Sequence, residues 1–315
     1  MLARTPTLQT SDRRLLLATA AAPATWGTTY AVTTELLPAG RPLLAATLRA
    51  LPAGLALVAV TGVRPHRSWW GRIAVLGTLN VGAFFALLFV AAHRLPGGMA
   101  ATLGAVQPLV AAGLAAVVLG ERVRLRTVVA GALGIAGVAL LVLRARAGVD
   151  AVGVAAGLAG TASMASGVVL TKRWGREMPL LAATGWQLVA GGVLLAPLML
   201  AVEGVPPAPT AAGVAGHLWL AVAGTAVAYA LWFRGVEGLP VQRVSLLGLL
   251  SPLVATGVGW VLLGQAMTAG QLAGAALVLG ALVIGQRADR PASPPAPVPA
   301  RPRGAVPAVP SPTTT

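Results

Sequence analysis

The sequence predicts an all-α integral membrane protein, ten transmembrane helices arranged as two inverted five-helix repeats. Three observations carry this. Hydrophobic residues make up 57% of the 315 and charged residues only 10%, with a mean hydropathy of +0.81, where a soluble domain carries roughly 25% charge. The apolar residues fall in runs of about 20, the length that crosses a hydrocarbon core about 30 Å thick. One stretch also occurs twice. LGAVQPLVAAGLAAVVLG (103–120) returns as LGLLSPLVATGVGWVLLG (247–264), with ten of eighteen positions identical at an offset of 144.

Backbone in lipid must satisfy its own hydrogen bonds, and apolar runs this long without two-residue alternation mean helices. The spans fall at 15–35, 41–62, 71–92, 97–119, 126–144, 151–171, 180–202, 214–234, 243–264 and 268–286. The first, after Arg13-Arg14, has a rival reading as a secretory leader. Its apolar run continues through Pro23, Trp26 and Tyr30 to Leu37, too far for a leader core, and nine spans follow. Segment 1–14 precedes the spans. The first repeat is then 15–144 and the second 151–286. Nine of the 24 prolines lie in 287–315, where no apolar periodicity remains; a disordered cytoplasmic arm is expected there.

Orientation follows from the arginines, because cytoplasmic loops are enriched in Lys and Arg. With the N-terminus inside, only Arg41, Arg94, Arg144 and Arg146 fall outside and Arg49 falls within a span, which leaves 18 of the 23 basic residues inside. Both termini are therefore expected in the cytoplasm. The formal net charge of +15 is loop charge facing anionic lipid, and a nucleic-acid partner is not expected.

The offset of 144 also lays GAFFALLFVAAHRLP (82–96) on AVAYALWFRGVEGLP (226–240), so the repeat covers spans 3–4 and 8–9. By order the unit is five helices. Five is odd, so the second copy enters the membrane from the opposite face. Inverted repeats of this kind place a binding site near the midplane, between halves that open alternately. Transport of a small molecule is the expected function; duplication kept only for packing is the bland alternative.

Four stretches carry a family resemblance: Trp26-Gly27-Thr28-Thr29-Tyr30, LRALPAGLAL (48–57), Gln107-Pro108-Leu109-Val110 with Gly120-Glu121-Arg122, and Ser251-Pro252-Leu253-Val254 with Gly264-Gln265. Together they resemble the drug/metabolite transporter superfamily, in its EamA-type ten-helix branch, over about residues 15–286. The resemblance implies export or exchange of small metabolites, often amino acids and their relatives, across the bacterial cytoplasmic membrane. Gln265 departs from the Gly-Glu that usually ends this motif in the second half. Glu121, beside Arg122 and Arg124, reads as a helix-end salt-bridge element.

Polar groups within spans are costly and face the interior. Arg49 is the only ionised one. It reads either as an anchor for a substrate carboxylate, or as a guanidinium that snorkels or ties down carbonyls freed by Pro52. Pro108 and Pro252 sit at matching mid-span positions behind Gln107 and Ser251, so a kink and polarity coincide twice; they point to a central cavity or only shape the bundle. Asn80 and Gln187 either line the pathway or bond between helices, the latter favoured for Gln187. Trp26, Tyr30, Phe84, Phe85, Tyr229 and Trp232 are candidate cavity walls or interface-belt residues, and Trp69, Trp70 and Trp174 read as belt. The small-residue pairs Gly153/Gly157 and Gly270/Gly274 allow close helix packing, in a monomer or across a homodimer.

All eight acids (Asp12, Glu35, Glu121, Asp150, Glu177, Glu203, Glu237 and Asp289) fall at span ends, in loops or in the termini. Exchange of a cation for protons through a buried acid is therefore disfavoured. No Walker-type nucleotide loop occurs. With no cysteine and three histidines near span ends, no metal or other cofactor is expected. Besides the carrier of a small, amino-acid-like metabolite, the alternatives are efflux of hydrophobic or toxic drug-like compounds and a membrane-embedded lipid-modifying enzyme. The enzyme would need His, Asp or Glu clustered at one interface.

Overall fold

The computed structural model describes residues 10–94, 103–142, 150–262, 264 and 268–286, and all regular structure among them is helical. The expected arm at 287–315, most of segment 1–14, and Gln265 lie outside the described residues. Fourteen α-helices are described: α1 (Thr10–Gly27), α2 (Thr29–Leu36), α3 (Pro42–Thr61), α4 (Trp70–Gly77), α5 (Ala83–Arg94), α6 (Gln107–Leu119), α7 (Leu125–Val142), α8 (Ala151–Trp174), α9 (Leu180–Glu203), α10 (Ala211–Ala221), α11 (Ala228–Gly238), α12 (Val241–Leu247), α13 (Leu250–Leu262) and α14 (Ala269–Gln286). Seven helical stretches among them are long and apolar enough to cross a membrane: 42–61, 67–88, 151–174, 180–203, 211–238, 241–262 and 269–286. Apolar helices α6 and α7 are shorter.

Local chemistry sets the ends. Pro42 opens α3 at a first-turn position, where its missing N–H costs nothing. The Glu203 carboxylate accepts the N–H groups of Leu43 and Leu44, which have no helical partner. Thus an acid at the end of α9 caps the start of α3. Gly62 and Gly120 end α3 and α6 in left-handed backbone. Asp150 caps α8 by accepting the Gly153 N–H at 2.7 Å. That bond holds its carboxyl below the ordinary range, helped by Arg94. The cap is therefore in place at neutral pH and is lost as pH falls through the lowered value.

Several predicted spans are broken. The first splits at Thr28, where Gly27 packs against the Ser251 carbonyl: a Cβ there would lie 2.7 Å from that oxygen. The third and eighth each contain a π-helical turn, Thr78–Gly82 between α4 and α5 and Val222–Val227 between α10 and α11. Their starts are 144 residues apart, the repeat offset.

Helix pairing follows the repeat as well. α3 packs on α9, and α7 on α14; each pair joins counterpart spans of the two halves. α5 packs on α8 as α11 packs on α1, and α6 packs on α8 as α13 packs on α1. Exchanging the halves maps this pairing onto itself. Of the predicted close-packing glycines, Gly274 meets Gly137, its Cβ position 2.6 Å from the Gly137 carbonyl, and Gly157 meets Leu103. Gly270 has open space beside it apart from Thr268. Large apolar side chains such as Leu17, Val60, Val117 and Val261 remain on the outside, as lipid as solvent permits.

Candidate functional site

Of the side chains singled out in the sequence, Arg49, Trp26, Phe85, Tyr229 and Trp232 converge where α1, α3 and α5 of the first half meet the second π turn and α11. Arg49 projects from the second turn of α3 and is 8% exposed. Its Nε–H donates to Thr225 Oγ1 at 3.1 Å and its Nη2 to the Gly224 carbonyl at 3.0 Å. Its guanidinium carbon lies 4.9 Å from the centre of the Phe85 ring, within reach of a cation–π attraction. No carboxylate pairs with it among the described residues.

The carbonyl that Arg49 ties down is thus not one freed by Pro52. It belongs to a π turn 175 residues away, where widening from i→i+4 to i→i+5 bonding leaves a carbonyl for outside donors. The Gly224 carbonyl also accepts the Trp26 indole N–H, at 2.9 Å. The first π turn is met in the same way. Tyr229 Oη donates to the Asn80 carbonyl at 3.4 Å, and Asn80 is the repeat counterpart of Gly224. Each turn is held by donors from the opposite half.

The aromatic residues form one cluster. Trp26 stands 5.4 Å from Tyr229 and 5.2 Å from Trp232, and Tyr229 stands 5.7 Å from Phe233. Tyr229, Trp232 and Phe233 are each 1% exposed, so they face the interior and are not belt residues. Phe84 stacks on Phe85 at 5.5 Å and reaches Arg49 only through it. Tyr30 stands in α2, and its side chain lies outside the described residues.

Asn80 is fully buried. Its amide donates to Gln187 at 3.0 Å and to Thr171 at 3.3 Å, so both amides serve interhelical bonds. Replacing either alone strands a buried partner, at about 1–3 kcal/mol. Asn80→Leu and Gln187→Leu are each expected to lower the unfolding temperature in detergent. The double variant is expected to recover most of that loss, since it removes both polar ends. A double variant as unstable as the sum would show that the two amides do not serve each other.

Pro108 and Pro252 do not kink continuous helices. α6 begins at Gln107, after a turn at 105–106, and α13 begins at Leu250, after a turn at 248–249. Both prolines stand in the first turn of a new helix, where they are tolerated. Gln107 and Ser251 are half-buried beside these breaks, and their side chains make no hydrogen bond among the described residues. The Ser251 backbone touches Gly27, next to Trp26. Glu121, just past the end of α6, pairs with Lys172 at 3.8 Å. Gly224, Thr225 and Phe233 escaped the sequence reading. Only a search for acceptors facing Arg49 could have found Thr225.

Space beside the cluster is small. The cavity lined by Thr171, Thr184, Gln187 and Phe233 measures ≈ 10 Å³, room for about one water. The Arg176–Glu237 ion pair, at 2.8 Å, lies at its rim.

Both halves match the model of the EamA-like transporter family, over residues 13–143 and 151–285. Protein PecM of Dickeya dadantii is 45% identical over 267 residues, covering 84% of this chain and 90% of PecM. A probable terminal-alkyne amino-acid exporter of Streptantibioticus cattleyicolor is 32% identical over 231 residues, 71% of this chain and 76% of that protein. A crystal structure at 21% identity shares the fold, with a TM-score of 0.75 over 87% of this chain and 96% of its own. With both halves matched, and relatives named as transporters, the chain is a multi-pass membrane protein that belongs to the EamA-like transporter family.

Proposed function

We propose that the protein is a secondary carrier that exports a small carboxylate-bearing metabolite, amino-acid-like in character, across the bacterial cytoplasmic membrane by alternating access. In this reading the ten predicted spans form two inverted five-helix repeats with both termini in the cytoplasm. The symmetric helix pairing and the arginine asymmetry support that arrangement. The observation that carries the function is Arg49, a buried cation without a counter-charge among the described residues, at the contact between the halves, beside Phe85 and the Trp26–Tyr229 cluster. Burying a lone charge is expensive; a cargo carboxylate would supply what the chain withholds. The name of the Streptantibioticus relative, a probable terminal-alkyne amino-acid exporter, supports the same cargo class. The closed packing means that helices must move to admit cargo.

The apolar cluster favours one rival, efflux of hydrophobic drug-like compounds. Proteoliposomes separate the two. Labelled amino acids are expected to cross, amphipathic drugs are not, and an imposed pH gradient is expected not to accelerate flux, because no acid falls in mid-span. Drug flux without amino-acid flux would establish the rival. Acceleration by a proton gradient would overturn the uncoupled mode.

A further inference from the structure

We infer that Thr225, with the π turn that presents it, is a positioning residue that aims one free edge of the Arg49 guanidinium at the cargo, making the site selective for a planar carboxylate over its neutral amide. The inference rests on the carrier reading and names its recognition chemistry. A guanidinium has five N–H donors in a rigid plane, and two edges of that plane can each hold a pair of oxygens. The Nε/Nη2 edge is already occupied, by Thr225 Oγ1 and the Gly224 carbonyl, from adjacent residues of one π turn. The face of the plane rests on Phe85. The Trp26 indole donates to the same Gly224 carbonyl and so fixes the acceptor. Plane and roll of the group are thus both set.

What remains is the Nη1/Nη2 edge. Nη1 has no hydrogen-bond partner among the described residues, although Arg49 is only 8% exposed. Two parallel N–H groups on a buried, uncompensated cation match a carboxylate's two oxygens, the bidentate pairing that gives both strength and orientation. A primary amide offers one acceptor and brings two donors, so it satisfies only half the edge and adds no charge. The repeat counterpart of this turn builds no second such site. There the Asn80 carbonyl takes the Tyr229 hydroxyl and the Asn80 amide is bonded to Gln187 and Thr171. Cargo recognition is therefore lodged in one of two related turns.

The test uses the full chain in proteoliposomes, with labelled amino acids and the corresponding amino-acid amides as probes. Thr225→Val keeps the side chain's shape and removes the acceptor; Thr225→Ser restores it. For the acids, Thr225→Val is expected to raise KM at least tenfold with kcat within about twofold, to narrow the preference for acid over amide by the same factor, and Thr225→Ser to return both near wild type. Thermal unfolding in detergent checks the fold. Should Thr225→Val lose the fold, Arg49→Lys, whose ammonium cannot fork, is expected to produce the same narrowing. An acid-over-amide preference unchanged in the folded variant overturns the inference and leaves the carrier standing. Wild-type flux that favours amides does the same. No flux of either probe set through wild type brings down the carrier reading and the inference together.

Discussion

Arg49→Met is expected to end carboxylate transport and to leave a protein at least as heat-resistant as wild type. The two effects have one source. Among the described residues Arg49 is buried with two hydrogen bonds and no counter-charge, and replacing a buried ionic group with an apolar side chain of similar length is often neutral or stabilising by about 1–4 kcal/mol. The usual penalty for deleting one partner is small here. The Gly224 carbonyl keeps the Trp26 indole, so only the Thr225 hydroxyl, which accepts from Arg49, loses its donor. Methionine also fills the space above Phe85. For a carboxylate, by contrast, losing the buried Arg49 cation removes a charge-assisted pair, and flux is expected to fall at least a hundredfold. The measurement is paired: initial rates of labelled amino acids in proteoliposomes, and unfolding temperature in detergent. Normal rates would overturn the anchor. An unfolding temperature many degrees lower would mean that Arg49 is an ordinary structural tie.

How much of this was legible in the sequence depends on direction. Along the membrane normal much was, because hydropathy is a sum over consecutive residues and the spans are consecutive. Around each helix axis little was. Arg49 was conspicuous as a charge in an apolar run, yet its partners Gly224 and Thr225 lie far away in sequence, on a turn with no proline to announce it. TLNVG and VAGTAV read as plain helix; their widening to π geometry is a property of what packs against them. Pro108 and Pro252 announced a disruption at the right places, but sequence alone could not say whether a helix bends there or starts afresh. Gln187 was readable as an interhelical donor or acceptor because an amide in lipid has few other options, but Asn80 stood open between that and pathway lining, and nothing in the sequence paired the two. Trp232 and Tyr229 could not be told from belt residues, since depth is legible and facing is not.

Glycine spacing was legible only in outline, and it leads to the largest expected loss of stability. Gly191→Leu is expected to leave no folded, monodisperse protein. α9 runs between α3 and the α4–π segment, and glycines line both contacts. On one side a Cβ at Gly191 would lie 2.5 Å from Val81 Cβ and 2.8 Å from the Gly77 carbonyl, and one at Gly77 would lie 2.6 Å from Ala190 Cβ. On the other side a Cβ at Gly192 would lie 2.8 Å from Leu51 Cβ, and one at Gly54 would lie 2.7 Å from the Val189 nitrogen. In lipid there is no hydrophobic drive between helices, so this close backbone approach is itself the source of association. Displacing α9 from one neighbour cannot be relieved, because it is wedged against the other. Overpacking by a methyl group costs typically about 1–3 kcal/mol, so Gly191→Ala is expected to fold with a lowered unfolding temperature, and leucine to exceed what the bundle tolerates. Gly113→Leu is the control: it adds the same side chain to α6 where nothing lies within 4 Å, and is expected to behave as wild type. Size-exclusion profiles of the three variants in detergent decide the matter. A monodisperse Gly191→Leu protein would mean that α9 is not clamped, and that the seam holding Asn80 against Gln187 has slack the packing distances deny.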